Sequence, residues 1–363
     1  MEFDLSEDQR ALRDAARAFL EREAPISYAR AAMDGSPPVR DAVWGKMAGL
    51  GWMALPFPEE SGGVGLGFSA LAILLAEMGR VVMPGSYFST VALAGGAILE
   101  AGTDAQRKEL LPPICAGELV AALGTNGEVE ARADGAAFRL HGEQPFVLDG
   151  AAADRVVVAG RDERGAGLFV TEPGSPSVEA SPAVAMDATR SVAHLRFRGA
   201  PAERLGERGE AAIGRVLDRA AAALAAEMLG GAERVLELSV EYARQRVQFD
   251  RPIGSFQAVK HRAADMALDV ESLRNAVSYA AWAVERDHPD ASLAASMAKA
   301  YASDAFRRVA ASGIQIHGGI GFTWEQDMHL YFKRAKASEQ AFGSADHHRE
   351  RMARLLEARY AGG

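Results

Sequence analysis

The chain has 363 residues, 48% of them hydrophobic and 25% charged, with a formal net charge of −9 at pH 7. That length supports a large core and roughly two or three packed units, and the negative balance argues against nucleic acid or an anionic membrane surface as the main partner. A single cysteine, Cys115, excludes an intrachain disulfide and suits a reducing cytoplasm. The start, MEFDLSEDQR, is acidic and lacks an apolar run, so no signal peptide is expected there. No stretch reaches the about 18 apolar residues that a membrane span needs.

The first region, 1–118, reads as helices. Ser6 with Gln9 makes a capping box, after which Leu12, Ala15, Ala16, Phe19 and Leu20 fall on one helical face. SALAILLAEM (69–78) is apolar nearly all round, which predicts a buried helix stopped at Gly79. A further helix is expected over 89–101, ending at Gly102, and another over 103–111, ending where Pro112 and Pro113 begin.

The period changes at 119–206. Short runs such as VAAL (120–123), AFRLHG (137–142), RVVVAG (155–160), GLFVTE (167–172) and AHLRFRG (193–199), punctuated by Gly, Asp and Pro, predict a small antiparallel β-domain of barrel or sandwich form. From 207 to 363 the chain is helical again, with Ala-rich amphipathic segments at 209–245, 256–287 and 290–316 that suggest an antiparallel bundle. The expected class is α+β, mainly α.

Two motifs have ordinary explanations. GGVGLG (62–67) is superficially a dinucleotide fingerprint, yet helices rather than a strand surround it, so a tight turn is expected. DHH (346–348) offers metal-ligand types, but adjacent helical residues point about 100° apart, and a solvated helix face is expected instead. RQRVQFDRPIGSFQ (244–257) carries more information: Arg and Gln side chains flank an exposed aromatic at a turn between long helices, donors suited to a pyrophosphate or purine. QIHGGIGF (315–322) adds an amide, and glycines that let a backbone approach a ligand closely.

Taken in order, these segments resemble the acyl-CoA dehydrogenase family over essentially the whole chain. LSEDQRALRDAARAFLERE (5–23), GWMALPFPEESGGVGLGFSALAILLAEMGR (51–80), KELLPPICAGELVAAL (108–123), RVQFDRPIGSFQAVKHRAADM (246–266) and QIHGGIGF (315–322) carry the likeness. The resemblance implies an N-terminal α-domain, a central β-domain and a C-terminal four-helix bundle. It also implies FAD between β-domain and bundle, an acyl-CoA substrate, and electron transfer flavoprotein as electron acceptor. Arg246, Phe249, Gln257, Gln315, Gly318 and Gly319 match the arms that hold the flavin of a partner chain, with Asp250 where the family has Gly. The implied reaction is α,β-desaturation: a carboxylate takes the α-proton while the flavin accepts a hydride from the β-carbon.

The chain departs from the family at the base. The usual glutamate precedes a Gly-Thr/Ser pair; here Gly343 and Ser344 match the pair and Phe342 stands at the glutamate. An alternative location on the first long helix of the bundle falls at or beside Ala220. In the flavin loop TNGEVEA (125–131) keeps Thr125 and Gly127, and in FVLDG (146–150) Leu148 replaces a hydroxyl. Features for the chain's own flavin ring are eroded while those for a neighbour's are kept. The DATR (187–190) and SADHHRER (344–351) segments and the short length resemble the base-lacking chain of two-chain members that act on bulky acyl-CoAs. Two alternatives stand beside a heteromer: a homo-oligomer with a relocated base, for which Glu339, Asp346 and Asp218 are candidates, and a flavin monooxygenase on the same fold.

Overall fold

The structure, a computed structural model, describes residues 5–35 and 38–361; the first four residues of the acidic start lie outside them. In chain order the elements are α1 (Glu7–Glu23), α2 (Ile26–Asp34), α3 (Ala42–Gly49), α4 (Gly67–Arg80), a π-helical turn (Phe88–Gly95), α5 (Gly96–Ala101) and α6 (Asp104–Cys115). Seven strands follow: β1 (Ala121–Gly124), β2 (Glu128–Asp134), β3 (Ala137–Leu148), β4 (Arg155–Asp162), β5 (Gly165–Thr171), β6 (Val178–Pro182) and β7 (Val192–Arg204). The chain then forms α7 (Gly209–Gln245), a short hairpin of β8 (Val247–Gln248) and β9 (Arg251–Pro252), α8 (Gln257–Glu285), α9 (Ala291–His317), α10 (Met328–Gln340) and α11 (Ala345–Ala361). No helix among the described residues is long and apolar enough to cross a membrane. The contacts divide the chain into two compact units: one gathers the N-terminal residues through Ala29, Ala72–Met83 and the chain from Ala221 onward, the other Arg30–Leu71 and Pro84–Ala220.

In the first unit the long helices supply the core. The capping box at α1 forms as expected, with the Gln9 amide donating to Ser6 Oγ at 3.2 Å and the Ser6 amide to Gln9 Oε1 at 3.0 Å. Ala16, Phe19 and Leu20 are buried, whereas Ala15 is exposed, because the inward stripe is narrower than the apolar spacing suggests. The helix expected to stop at Gly79 continues through it to Arg80. Gly79 is there for packing: a Cβ would sit 2.0 Å from the Glu227 carbonyl oxygen, and one on Gly230 would sit 1.7 Å from that of Ala76. Two glycines thus let α4 and α7 touch backbone to backbone, at a propensity cost of about 1 kcal/mol each. Between them Arg334 of α10 bonds Glu227 of α7 at 2.8 Å and donates to the Met83 carbonyl at 3.3 Å.

In the second unit the sheet closes on itself: β4 pairs with β2, β2 with β3, β3 with β7, β7 with β5 and β5 with β4, while β1 adds to β4 and β6 to β7. The expected wholly antiparallel sheet is corrected here, since β1 and β2 both run parallel to β4. The β2–β3 hairpin lies between β1 and β4 in sequence, so the chain returns to β1 in the same direction. Pro182 fits β6 because an edge strand leaves one side unpaired. GGVGLG forms turns as expected, Gly62, Gly65 and Gly67 all having positive φ.

Two further helices differ from expectation. The one expected over 89–101 starts as the fully buried π-helical turn and becomes α-helical only at Gly96. The one expected to end before Pro112 runs on to Cys115 with both prolines inside. The carbonyls their missing N–H groups would have bonded belong to Lys108 and Glu109, which are exposed. Beyond the prolines, amides of Ala116 and Glu118 return to the Pro112 and Pro113 carbonyls at 2.9 Å.

Candidate active site and cofactor arm

The turn between α10 and α11 carries the position where a base is expected. Phe342 has φ 54° and Gly343 φ 102°, a reversal that a side chain at 343 could not enter: its Cβ would meet His347 Cδ2 at 2.6 Å and His348 Nε2 at 3.0 Å. Phe342 itself is half-buried. Its carbonyl lies 3.0 Å from His348 Nε2, which must therefore carry the proton, since a carbonyl only accepts. Burial, opposed by that hydrogen bond, pushes the His348 imidazole down to about 4. The DHH segment is thus not a uniformly solvated face: Asp346 and His347 are exposed, His348 is buried.

Lys299 of α9 lies beneath the turn with no solvent exposure. Its ammonium donates to Ser303 Oγ at 2.8 Å, the Gly343 carbonyl at 2.9 Å and the Glu339 carbonyl at 3.3 Å. The last two sit at and just past the C-terminal end of α10, where the helix dipole favours a cation. Burial lowers the amine to about 8.

The three candidate carboxylates have different surroundings. Glu339 accepts from Lys336 at 2.8 Å and lies 3.6 Å from Arg307. The Asp346 side chain is 94% exposed and paired with Arg349, so it has the solvation of an ordinary surface acid. Asp218, in the second unit, is buried and engaged. Ala220 beside it is fully buried and offers nothing to a proton.

The six arm residues gather at the far end of the bundle in the first unit. Tyr242 of α7 stacks on His317 of α9 with centroids 4.3 Å apart, which brings the ends of these helices together. Arg246 and Phe249 follow on the β8–β9 hairpin, Gln257 opens α8, and Gln315, Gly318 and Gly319 close α9. Phe249 is 87% exposed at a two-residue turn in which it and Asp250 both have positive φ. Asp tolerates that region better than most residues; an exposed Phe there is strained and needs a functional reason. Among the described residues the side chains of Arg246, Gln257 and Gln315 are exposed and make no hydrogen bond or ion pair. A Cβ on Gly318 or Gly319 would meet nothing within 4 Å, so the backbone there lies open to a ligand. These free donors around a bare ring fit the phosphate and purine parts of FAD. Gln315 lies 16 residues beyond Lys299 on α9, about 24 Å along the axis at 1.5 Å per residue, so arm and turn serve different places.

In the second unit Thr125 is half-buried, and the loop after it is held by Gln144, whose amide accepts from the Gly127 N–H at 2.8 Å and donates to the Ala159 carbonyl at 2.9 Å. Where the β3–β7 register shifts, Phe146 has φ 57° and is 70% exposed, which leaves its aromatic ring bare. Asp149 nearby is buried, its carboxyl pushed up by burial against an opposing 2.6 Å hydrogen bond from Ser89. The sequence pointed to neither Gln144 nor Lys299, and it read His348 only as part of a solvated helix face. A lysine inside the Ala-rich run AASMAKAYAS (294–303) was the available signal for one of them. A cavity of about 260 Å³ in the first unit, lined by Arg17, Glu77, Arg80 and Tyr331 among others, contains none of these residues, and its Arg17 and Arg80 are already paired with Glu77 and Glu237.

Comparison with known proteins places the whole chain in one family. The family model described as acyl-CoA dehydrogenase, N-terminal domain, matches residues 6–118, and that described as acyl-CoA dehydrogenase, C-terminal domain, matches 207–357. The acyl-CoA dehydrogenase IpdE2 of Mycobacterium tuberculosis is 35% identical over 340 residues, 93% of this chain and 94% of that protein. The ChsE4–ChsE5 complex from Mycobacterium tuberculosis superposes with a TM-score of 0.92 at 30% identity, over 98% of this chain and 99% of that one. The Tcur3481–Tcur3483 steroid ACAD does so at 0.90 and 30%, with the same coverage.

Proposed function

The chain belongs to the acyl-CoA dehydrogenase family, FAD-dependent oxidoreductases, and from that premise we propose that it is the base-lacking subunit of a heteromeric enzyme acting on a bulky acyl-CoA such as a steroid side-chain thioester. The observation that carries this is Phe342: the turn that would present the base is intact, but the side chain on it is a hydrocarbon ring. Glu339, Asp346 and Asp218 do not replace it, being bonded to neighbouring cations, solvated or buried and engaged. Two of the solved relatives are two-chain assemblies by name, which suits a chain missing one group of an otherwise kept site. A cytoplasmic setting, with electron transfer flavoprotein as acceptor, belongs to the same proposal; Cys115 is a free, buried thiol.

When bound, the flavin supplies the hydride acceptor. The chain's own contribution is to binding. Arg246 offers its guanidinium, Gln257 and Gln315 their amides, and Gly318 and Gly319 an unobstructed backbone to the cofactor of a neighbour. Phe249 and Phe146 present aromatic faces, while Phe342 holds no proton and moves none. The longer partner chain provides the carboxylate.

Base chemistry is read separately from hydride transfer by hydrogen exchange. The chain alone, incubated with butyryl-CoA in D2O, is expected to place no deuterium on the thioester α-carbon beyond the buffer rate. Exchange that survives Phe342→Ala but disappears in Glu339→Gln, Asp346→Asn or Asp218→Asn would replace the heteromer with the self-sufficient enzyme.

A further inference from the structure

Two successive carbonyls of one tight turn are each held by a buried polar side chain from a different helix. Phe342 offers its carbonyl to His348 of α11 and Gly343 its carbonyl to Lys299 of α9, at 3.0 and 2.9 Å. Both side chains are almost fully buried, and Lys299 has no carboxylate within ion-pair distance among the described residues. An unpaired buried ammonium is costly, and a hydrophobic residue would fill α9 at that point without the cost. The three acceptors Ser303 Oγ, Glu339 O and Gly343 O use all three of its N–H groups. Phe342 stands at positive φ, which a bulky residue leaves unless its surroundings hold it.

We propose that Lys299 and His348 are positioning residues of the α10–α11 turn, locking its backbone so that whatever side chain occupies position 342 is presented at a fixed point. This rests on the functional reading above in one respect only, that position 342 faces the acyl thioester. The locked turn then holds the Phe342 ring as a rigid wall, and the backbone support for a base outlives the base itself.

The groups facing the Lys299 amine are Ser303 on its own helix, Glu339 on α10 and His348 on α11. Once neutral, the amine has two hydrogens for three acceptors, so raising the pH through about 8 should loosen the turn.

The test uses the full chain carrying Phe342→Cys, modified with a nitroxide; Cys115, the only other cysteine, is buried. The expected electron-spin spectrum is immobilised at pH 7. Adding Lys299→Met or His348→Gln should shorten the label's correlation time about twofold or more, onto the time scale of a loose loop. Raising the pH from 7 to 9.5 should do the same with Lys299 present and nothing further in Lys299→Met. A label as immobile in both variants as in their parent, or a parent with no change across that pH range, overturns the proposal; the pH series decides alone if a variant does not fold. Because the spectrum reads only the turn's mobility, its outcome is independent of the deuterium exchange that tests the functional reading.

Discussion

Arg334→Ala is expected to cost about 3–5 kcal/mol of stability, the range for stripping one partner from a buried ion pair. The reason is Glu227, 3% exposed, which would be left as a charge with its 2.8 Å partner gone. The Met83 carbonyl that Arg334 also bonds would lose a donor. Tyr331, one turn earlier on α10, donates to the Arg80 carbonyl at 2.6 Å, and Arg80 bonds Glu237 at 2.6 Å while lying 3.5 Å from Glu77. The damage therefore falls where α4, α7 and α10 meet. A chemical-denaturation midpoint measures it, and the paired change Arg334→Met with Glu227→Leu should restore most of the loss, because apolar packing replaces both charges at once. Equal loss in single and paired variants would mean that shape, not charge, is what the site needs.

Arg246→Ala should behave in the opposite way. Its side chain is exposed and unpartnered among the described residues, so the melting transition should move by no more than about 0.5 kcal/mol, as for surface substitutions generally. Flavin affinity of the assembled enzyme should nevertheless fall by about 1.5–3 kcal/mol, roughly ten- to a hundredfold, the worth of a hydrogen bond to a charged group. A fluorescence titration of the flavin-stripped assembly with FAD reads this directly. Unchanged affinity would remove Arg246, and with it the strongest donor of the arm, from the cofactor site.

What could be seen in the sequence follows the range of the interaction. The capping box of α1 and the spans of α7, α8 and α9 are local patterns, uninterrupted by proline, and they stand within a few residues of expectation. Gly79 and Pro112 misled for a common reason: a residue that ends a helix in isolation is kept inside one when a crossing helix demands its smallness, or when the carbonyls it orphans face water. Strand β2 was hidden because its alternation of Glu and Arg with Val129 and Ala131 lies in what read as a flavin loop. The arm residues could be named because the two segments that carry them, 244–257 and 315–322, match the family pattern. Lys299 and His348 could not be, since what they do is defined by carbonyls 40 to 44 and 6 positions away in the chain. Phe342 could be singled out only against the family pattern; its locked backbone is visible only in three dimensions.

Whether the chain lacks a base is read most directly by an anaerobic absorption titration of two samples with a panel of acyl-CoAs: this chain alone with FAD, and the same chain mixed with a longer relative that has glutamate at the position of Phe342. The visible flavin band of the first sample is expected to persist with every thioester, and that of the second to bleach with a bulky one. Bleaching in the chain alone would overturn that reading, because the chain would then be removing the α-proton with a base of its own.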